Sequence, residues 1–256
     1  MHSPAHARRT AQRNAAFLLP HLTPNMRLLD VGCGPGSITI GLAAALAPGE
    51  TTGVDASDEA IDSARRRATE ENCTNVRFEV ADAYALPFED ATFDAAFMHA
   101  VLQHLADPLA ALREVRRVLK PGGVIGVADA DYDGSIIAPD DPMLRRSFDV
   151  MAALRERGTG DVRVGKRLRS LLHEAGFERT VASANAQSDG TADAVRWTGE
   201  FQAQYYAAPA FVDHVALTGI ATRDEMDAMS NAWRAWSTHP GAFWARFHCE
   251  AVGWRS

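Results

Sequence analysis

Seven residues constrain this chain most: Asp30-Val31-Gly32-Cys33-Gly34-Pro35-Gly36, set between a short apolar run and an amphipathic stretch. The run Met26–Val31 has the length and composition of a buried parallel strand and is stopped by glycine. Ile38–Ala47 then places Ile38, Leu42, Ala45 and Leu46 at helical spacing and ends at Pro48-Gly49. Glycines at such a junction let the main chain turn sharply and let a ligand approach it closely. The helix that follows offers unpaired N–H groups and the positive end of its dipole. A dinucleotide loop reads G-x-G-x-x-G. Here the third glycine comes two after the second and an acid precedes the first, which suits a carboxylate-bearing, phosphate-free ligand better than a pyrophosphate.

The alternation continues. Thr51–Val54, Val76–Val80, Phe93–Met98 and Val124–Ala128 read as strands, with helices over Asp58–Glu71 and Pro108–Leu119 and a turn at Lys120-Pro121-Gly122-Gly123. Strand and helix repeated in this way predict an α/β fold: a Rossmann-like, mostly parallel sheet with helices on both faces. Residues 141–175 read as helical, Phe177–Ala186 as a sixth strand and Phe243–Trp254 as the seventh. The aromatic-rich stretch 193–240 reads as a helical lid inserted before the last strand, in which Trp197, Tyr205 and Tyr206 can line an apolar pocket. The expected organisation is an N-terminal helical segment 1–21, a core 22–192, the lid 193–240 and a final core strand in 241–256.

In such a sheet ligands bind beyond the carboxyl ends of the strands, so the residues there are the candidates. Asp55 ends the second strand; its two oxygens can accept from both ribose hydroxyls, or it can cap the next helix. Asp82, after the third strand, can accept from an exocyclic adenine amine while the Ala83 N–H donates to the ring, or it is a turn acid. His99 and His104 follow the fourth strand, where an imidazole can orient a hydroxyl or act as a base, and His104 can equally be a packed residue. Asp129, Asp131, Tyr132 and Asp133 form an acidic, aromatic tip after the fifth strand. His104 and Tyr132 are the expected catalytic residues.

Composition narrows the partners. The 256 residues carry a net charge of −7, which argues against nucleic acid because a duplex binder needs a basic face. Cys33, Cys73 and Cys249 have no metal-ligand or disulfide spacing, and no metal site is expected. The polar stretch Met1–Arg13 lacks the apolar core of a signal peptide, and no run reaches the ~20 apolar residues of a membrane span. A cytoplasmic protein, monomeric or homodimeric, is the expectation.

Four segments taken in order, LLDVGCGPGSITIGLA, TGVDAS, ADAYALPFEDATFD and HAVLQHLADPLAALREVRRVLKPGG, resemble the class I methyltransferases that use S-adenosyl-L-methionine. The likeness is to the branch containing the ubiquinone and menaquinone biosynthesis enzymes and covers about residues 8–130. It implies that Asp30, Gly32, Gly34 and Gly36, with Cys33 between the glycines, hold the methionine portion of the cofactor. It also implies that Asp55, with Ala56 beside it, holds the ribose, that Asp82 and Ala83 hold the adenine, and that His99 passes under the methionine end. The implied reaction is in-line methyl transfer to O, C, N or S of a small, mostly apolar acceptor. A nicotinamide-dependent oxidoreductase and a non-catalytic S-adenosylmethionine-binding protein are the competing readings.

Overall fold

The computed structural model describes residues 9–158 and 160–256. In chain order its elements are α1 (Ala11–Asn14), β1 (Leu28–Val31), α2 (Ser37–Leu46), β2 (Thr51–Asp55), α3 (Asp58–Glu70), β3 (Val76–Val80), β4 (Phe93–His99) and α4 (Pro108–Val118). These are followed by β5 (Leu119–Ala138), α5 (Pro142–Arg157), α6 (Leu168–Glu174), β6 (Arg179–Asp189), α7 (Ala192–Ala207), α8 (Pro209–Thr218), α9 (Arg223–Trp236) and β7 (Phe243–Trp254). Short 3-10 turns lie at Leu19–His21, Leu102–His104 and Val164–Arg167.

The strands form one seven-stranded sheet in the order β3-β2-β1-β4-β5-β7-β6. The pairings β1–β2, β1–β4, β2–β3 and β4–β5 are parallel, as the strand–helix alternation requires. The chain divides into two compact units. Among the described residues, the first comprises 9–129, 164–184 and 249–256, and the second 130–158, 160–163 and 185–248.

In the first unit a two-residue period sorts the core. Leu29, Val31, Ala96, Met98, Ile125 and Val127 face one cluster with Leu112, Val115 and Val118 of α4 and Leu168, Leu171 and Leu172 of α6. Their strand neighbours Leu28, Ala95, Phe97 and Val124 face another, with Ile38, Leu42 and Leu46 of α2 and Ala11, Ala15 and Leu18. Both faces of β1 are therefore buried, which is why its sequence is continuously apolar apart from Asp30. Helix starts carry their own signals: Ser57 caps α3 by accepting from Ala60 N, and Asp107 caps α4 ahead of Pro108.

One sequence expectation changes and another is refined. Lys120–Gly123, expected as a turn, lies inside β5 as an irregularity: Phe93 pairs with Leu119 but Ala95 already pairs with Val124. Gly122, at φ +80°, makes that local excursion possible. The helical stretch expected over 141–175 is resolved into α5, ending at Arg157, a 3-10 turn at Val164–Arg167, and α6, beginning at Leu168.

The second unit is built on α5, α7, α8 and α9. Its core holds Tyr206, Met226, Met229, Trp233, Trp236 and Trp244. Ser147 joins three helices: its hydroxyl donates to Leu144 O at 2.6 Å and accepts from Trp233 Nε1 at 3.1 Å, while its carbonyl accepts from the Tyr206 hydroxyl at 2.7 Å. Gly199 sits inside α7 because a Cβ there would lie 2.5 Å from that of Ser237. Tyr206, expected to line a pocket, is instead core, since a phenol with a buried acceptor can be interred.

Candidate cofactor site

The glycine loop leaves β1 and turns through three left-handed residues, Gly32 (φ +74°), Gly34 (φ +53°) and Gly36 (φ +75°), before α2 begins. This conformation favours glycine at each position. Their surroundings differ. A Cβ on Gly32 would lie 2.3 Å from Val101 Cγ2, and one on Gly36 would lie 2.9 Å from the Phe78 ring. One on Gly34 would meet nothing within 4 Å. The loop is thus packed at both ends and open in the middle, as a cradle for a closely approaching ligand must be.

The loop's own N–H groups are largely engaged. Gly32 N and Cys33 N both donate to Val54 O, at 2.7 and 2.9 Å, and Gly36 N donates to Cys33 O. Gly34 N donates to Asp55 Oδ2 at 2.9 Å, so the carboxylate at the end of β2 directly buttresses the open point of the loop. These bonds of the loop amides hold the loop's shape ahead of α2. Asp55 Oδ1 accepts from Ser57 N at 3.0 Å, so Asp55 also organises the start of α3. Both oxygens retain lone pairs for further donors. Ala56, next to it, is exposed.

Asp30 is buried and accepts the Thr39 hydroxyl at 2.6 Å, which ties β1 to α2 beneath the loop. Burial pushes its carboxyl up to about 7, against the Thr39 hydrogen bond that lowers it, and the Asp55 charge adds to the rise. The Cys33 side chain turns inward, among Ile40, Ile61, Ala64 and Phe78, and burial raises its thiol far above the ordinary range. Any approach of a ligand to Cys33 is to its main chain.

Asp82 and Ala83 follow β3 in a tight turn. Asp82 is exposed; its Oδ1 accepts from Tyr84 N at 2.9 Å and its carbonyl from Ala85 N. Ala83 packs partly against the core. His99 closes β4 and is buried; its Nε2 lies 3.1 Å from Asn14 Nδ2. Asn14 Oδ1 accepts from Thr10 N, so the amide's other end is the donor and His99 Nε2 the acceptor. That places the His99 ring proton on Nδ1 in the neutral form.

His104 ends the 3-10 turn after β4 and is exposed, whereas its neighbour Gln103 is buried. Tyr132 belongs to the second unit, is half-buried in β5, and its N–H donates to Val162 O. Its phenol is close enough to those of Tyr205 and Tyr206 to raise both slightly, after the larger effect of burial. Asp129 is fully buried and accepts from Leu102 N at 3.0 Å. Sequence reasoning missed Asn14, Thr39 and Val101. Thr39 lies one helical turn beyond the loop, but nothing local marks Asn14, which is 85 residues from His99. Among the described residues no group of His, Cys, Asp or Glu could hold a metal ion, and no helix is long and apolar enough to cross a membrane.

Residues 22–176 match the family model described as a methyltransferase domain, which is more than half of the chain. The chain belongs to the methyltransferases. It is a member of their class I, whose cofactor is S-adenosylmethionine. It is 41% identical over 140 residues to an uncharacterized methyltransferase of Schizosaccharomyces pombe, covering 52% of this chain and 50% of that one. It is 34% identical over 152 residues to an O-methyltransferase of Penicillium expansum, covering 59% of this chain and 51% of that one. The chain thus spans about half the length of these curated relatives. A methyltransferase-fold structure from Bacillus halodurans superposes with a TM-score of 0.62 at 17% identity, covering 93% of this chain and 97% of that one, and shows the shared fold. For the cofactor, the open point at Gly34 backed by the Asp55 carboxylate is a compatible seat.

Proposed function

We propose that this methyltransferase transfers the S-adenosylmethionine methyl group to O, C, N or S of a small, mostly apolar metabolite. The observation that carries the reading is the direct bond between its two cofactor motifs, Gly34 N to Asp55 Oδ2 at 2.9 Å, beside the open face of Gly34. When bound, the cofactor supplies an electrophilic sulfonium methyl. The chain's own residues hold and orient. The Asp55 oxygens have lone pairs for the ribose hydroxyls, Asp82 and Ala83 address the adenine, and Gly32, Cys33, Gly34 and Gly36 offer backbone to the methionine portion. Asp30, tied to Thr39 beneath the loop, supplies negative charge in its ionised form, which a cationic cofactor favours. His99, as the Nδ1-protonated tautomer fixed by Asn14, borders the methionine end.

Holding the acceptor in line with the methyl and excluding water can account for ~7–11 kcal/mol of the barrier, so no dedicated base is required. His104 and Tyr132 are the groups proposed to orient the acceptor. In the second unit, Trp197, Phe201 and Tyr205 recur every four residues on α7, with rings 5.5 Å and 6.4 Å apart in stacked geometry. That half-exposed aromatic stripe suits a flat, apolar acceptor, and the Penicillium relative's name makes hydroxyl acceptors the first to screen.

Calorimetric titration with S-adenosylmethionine, S-adenosylhomocysteine and NAD tests the reading. Micromolar binding of the first two and none of NAD is expected. In Asp55→Ala, S-adenosylhomocysteine affinity falls at least ~10-fold, since a charged acceptor paired with hydroxyl donors contributes about 1.5–3 kcal/mol. Binding of NAD alone, or unchanged affinity in the variant, would overturn it.

A further inference from the structure

We infer that Asp129 is a positioning residue for the cofactor loop, holding the backbone of residues 101–103 so that Val101 stays wedged against Gly32. The inference deepens the function proposed above and rests on it. Asp129 lies at the carboxyl end of the first unit's part of β5 and is fully buried. Its Oδ2 accepts from Leu102 N at 3.0 Å, and the amides of Gln103 and Val101 further favour its charged form. The side chain is thus directed at the main chain of the turn after β4. Oδ1 has no hydrogen-bond partner among the described residues.

What that turn does follows from its other contacts. It leaves β4 through Ala100 at φ +58°, a left-handed conformation that a residue with a Cβ adopts only when its surroundings impose it. Ala100 N is anchored to Ala128 O at 2.8 Å, immediately before Asp129. One residue later, Val101 fills the space where a Gly32 side chain would be, with its Cγ2 2.3 Å from the ideal Cβ position. Val101 is β-branched and stiff, so the position of its backbone determines where its methyl groups press. The path runs from the Asp129 carboxylate through the Leu102 amide and Val101 to Gly32, at the entry of the loop. A buried carboxylate costs folding free energy unless it is paired, and here the paired groups are the amides of that turn.

The test is titration of S-adenosylhomocysteine into the full chain, in wild-type protein, Asp129→Asn, Val101→Ala and the double variant, alongside hydrogen exchange of the ligand-free proteins. Asparagine keeps the size and one acceptor for the Leu102 amide, but it removes the negative charge that the amides of residues 101–103 favour and puts a donor at the position of Oδ1. Asp129→Asn is expected to weaken binding about tenfold and to speed exchange at residues 32–36. Val101→Ala weakens binding as well, and the double variant is no worse than Asp129→Asn, because the two residues act along one path. Unchanged affinity and unchanged exchange in Asp129→Asn overturn the inference, as do fully additive losses in the double variant. If Asp129→Asn does not fold, exchange of the Leu102 amide in wild-type protein decides: protection is expected, and exposed-loop exchange overturns the inference. Wild-type protein that fails to bind S-adenosylhomocysteine removes the cofactor reading and this inference together. Wild-type binding with indifferent variants removes only the inference.

Discussion

Gly32 and Gly34 share a left-handed backbone but have opposite neighbours, and substitution should separate the two effects. At Gly34 an alanine methyl enters open space, so Gly34→Ala should cost only the left-handed strain, about 1–2 kcal/mol. At Gly32 the same strain applies, and the methyl also collides with Val101; such overpacking adds about 1–3 kcal/mol. Urea unfolding of the two variants should rank them in that order. Adding Val101→Ala to Gly32→Ala should recover the collision but not the strain. Equal losses at both glycines would mean that Val101 yields freely. The glycine loop, Asp55 and Asp82 could be placed at strand ends from the sequence because each closes or follows a short strand-forming run, although the Gly34–Asp55 bond itself spans 21 residues. The Asn14–His99 and Leu102–Asp129 bonds, across 85 and 27 residues, become visible only when the sheet brings strand ends together.

Among the elements, legibility followed burial. Strands β1, β2 and β4 are almost continuously buried, and their positions were readable to within two residues. Strand β6 is mostly exposed and stands at the sheet edge, so its sequence lacks that signature and its end was placed three residues short. Strand β5 was stopped at Ala128, yet it extends to Ala138 through polar residues that follow the apolar core segment. In the second unit the helices were readable as apolar and aromatic, but not the polar node that joins them. Ser147 on α5 is that node, and Ser147→Ala should leave the buried Trp233 Nε1–H on α9 without its acceptor. The expected loss is about 1–3 kcal/mol of unfolding free energy, with the Tyr206 bond to the Ser147 carbonyl retained. Urea unfolding followed by tryptophan fluorescence measures it. A loss below ~0.5 kcal/mol would show that Trp233 finds another acceptor.

For the whole molecule, the buried carboxyls set how stability depends on pH before any cofactor binds. Asp30 and Asp129 are both raised from 3.8 to about 7, in each case chiefly by burial. The groups facing Asp30 are the Thr39 hydroxyl and the Asp55 charge; those facing Asp129 are the amides of 101–103 and the Arg9 charge. Between pH 4 and 7 the folded chain holds protons that the unfolded chain has released, so stability falls as pH rises through that window. Each such group contributes at most ~1.4 kcal/mol per pH unit. Asp94 and Glu114 act in the opposite sense. Asp94 is pushed up by burial but pulled further down by the Arg27 amide and Lys120, and Glu114 is held down by Arg117. Their stabilisation is present above the ordinary carboxylate range and lost as pH falls through their lowered values, so it does not offset the decline above pH 5. The ligand-free chain should therefore resist urea better at pH 5.5 than at pH 7.5, and Asp30→Asn should narrow that difference by removing one of the two titrations. A chain equally stable at both values, or more stable at the higher one, would mean that these carboxyls ionise without penalty. Because S-adenosylmethionine is cationic, its binding beside Asp30 should favour the ionised carboxylate, so the same comparison at saturating cofactor should give a flatter profile.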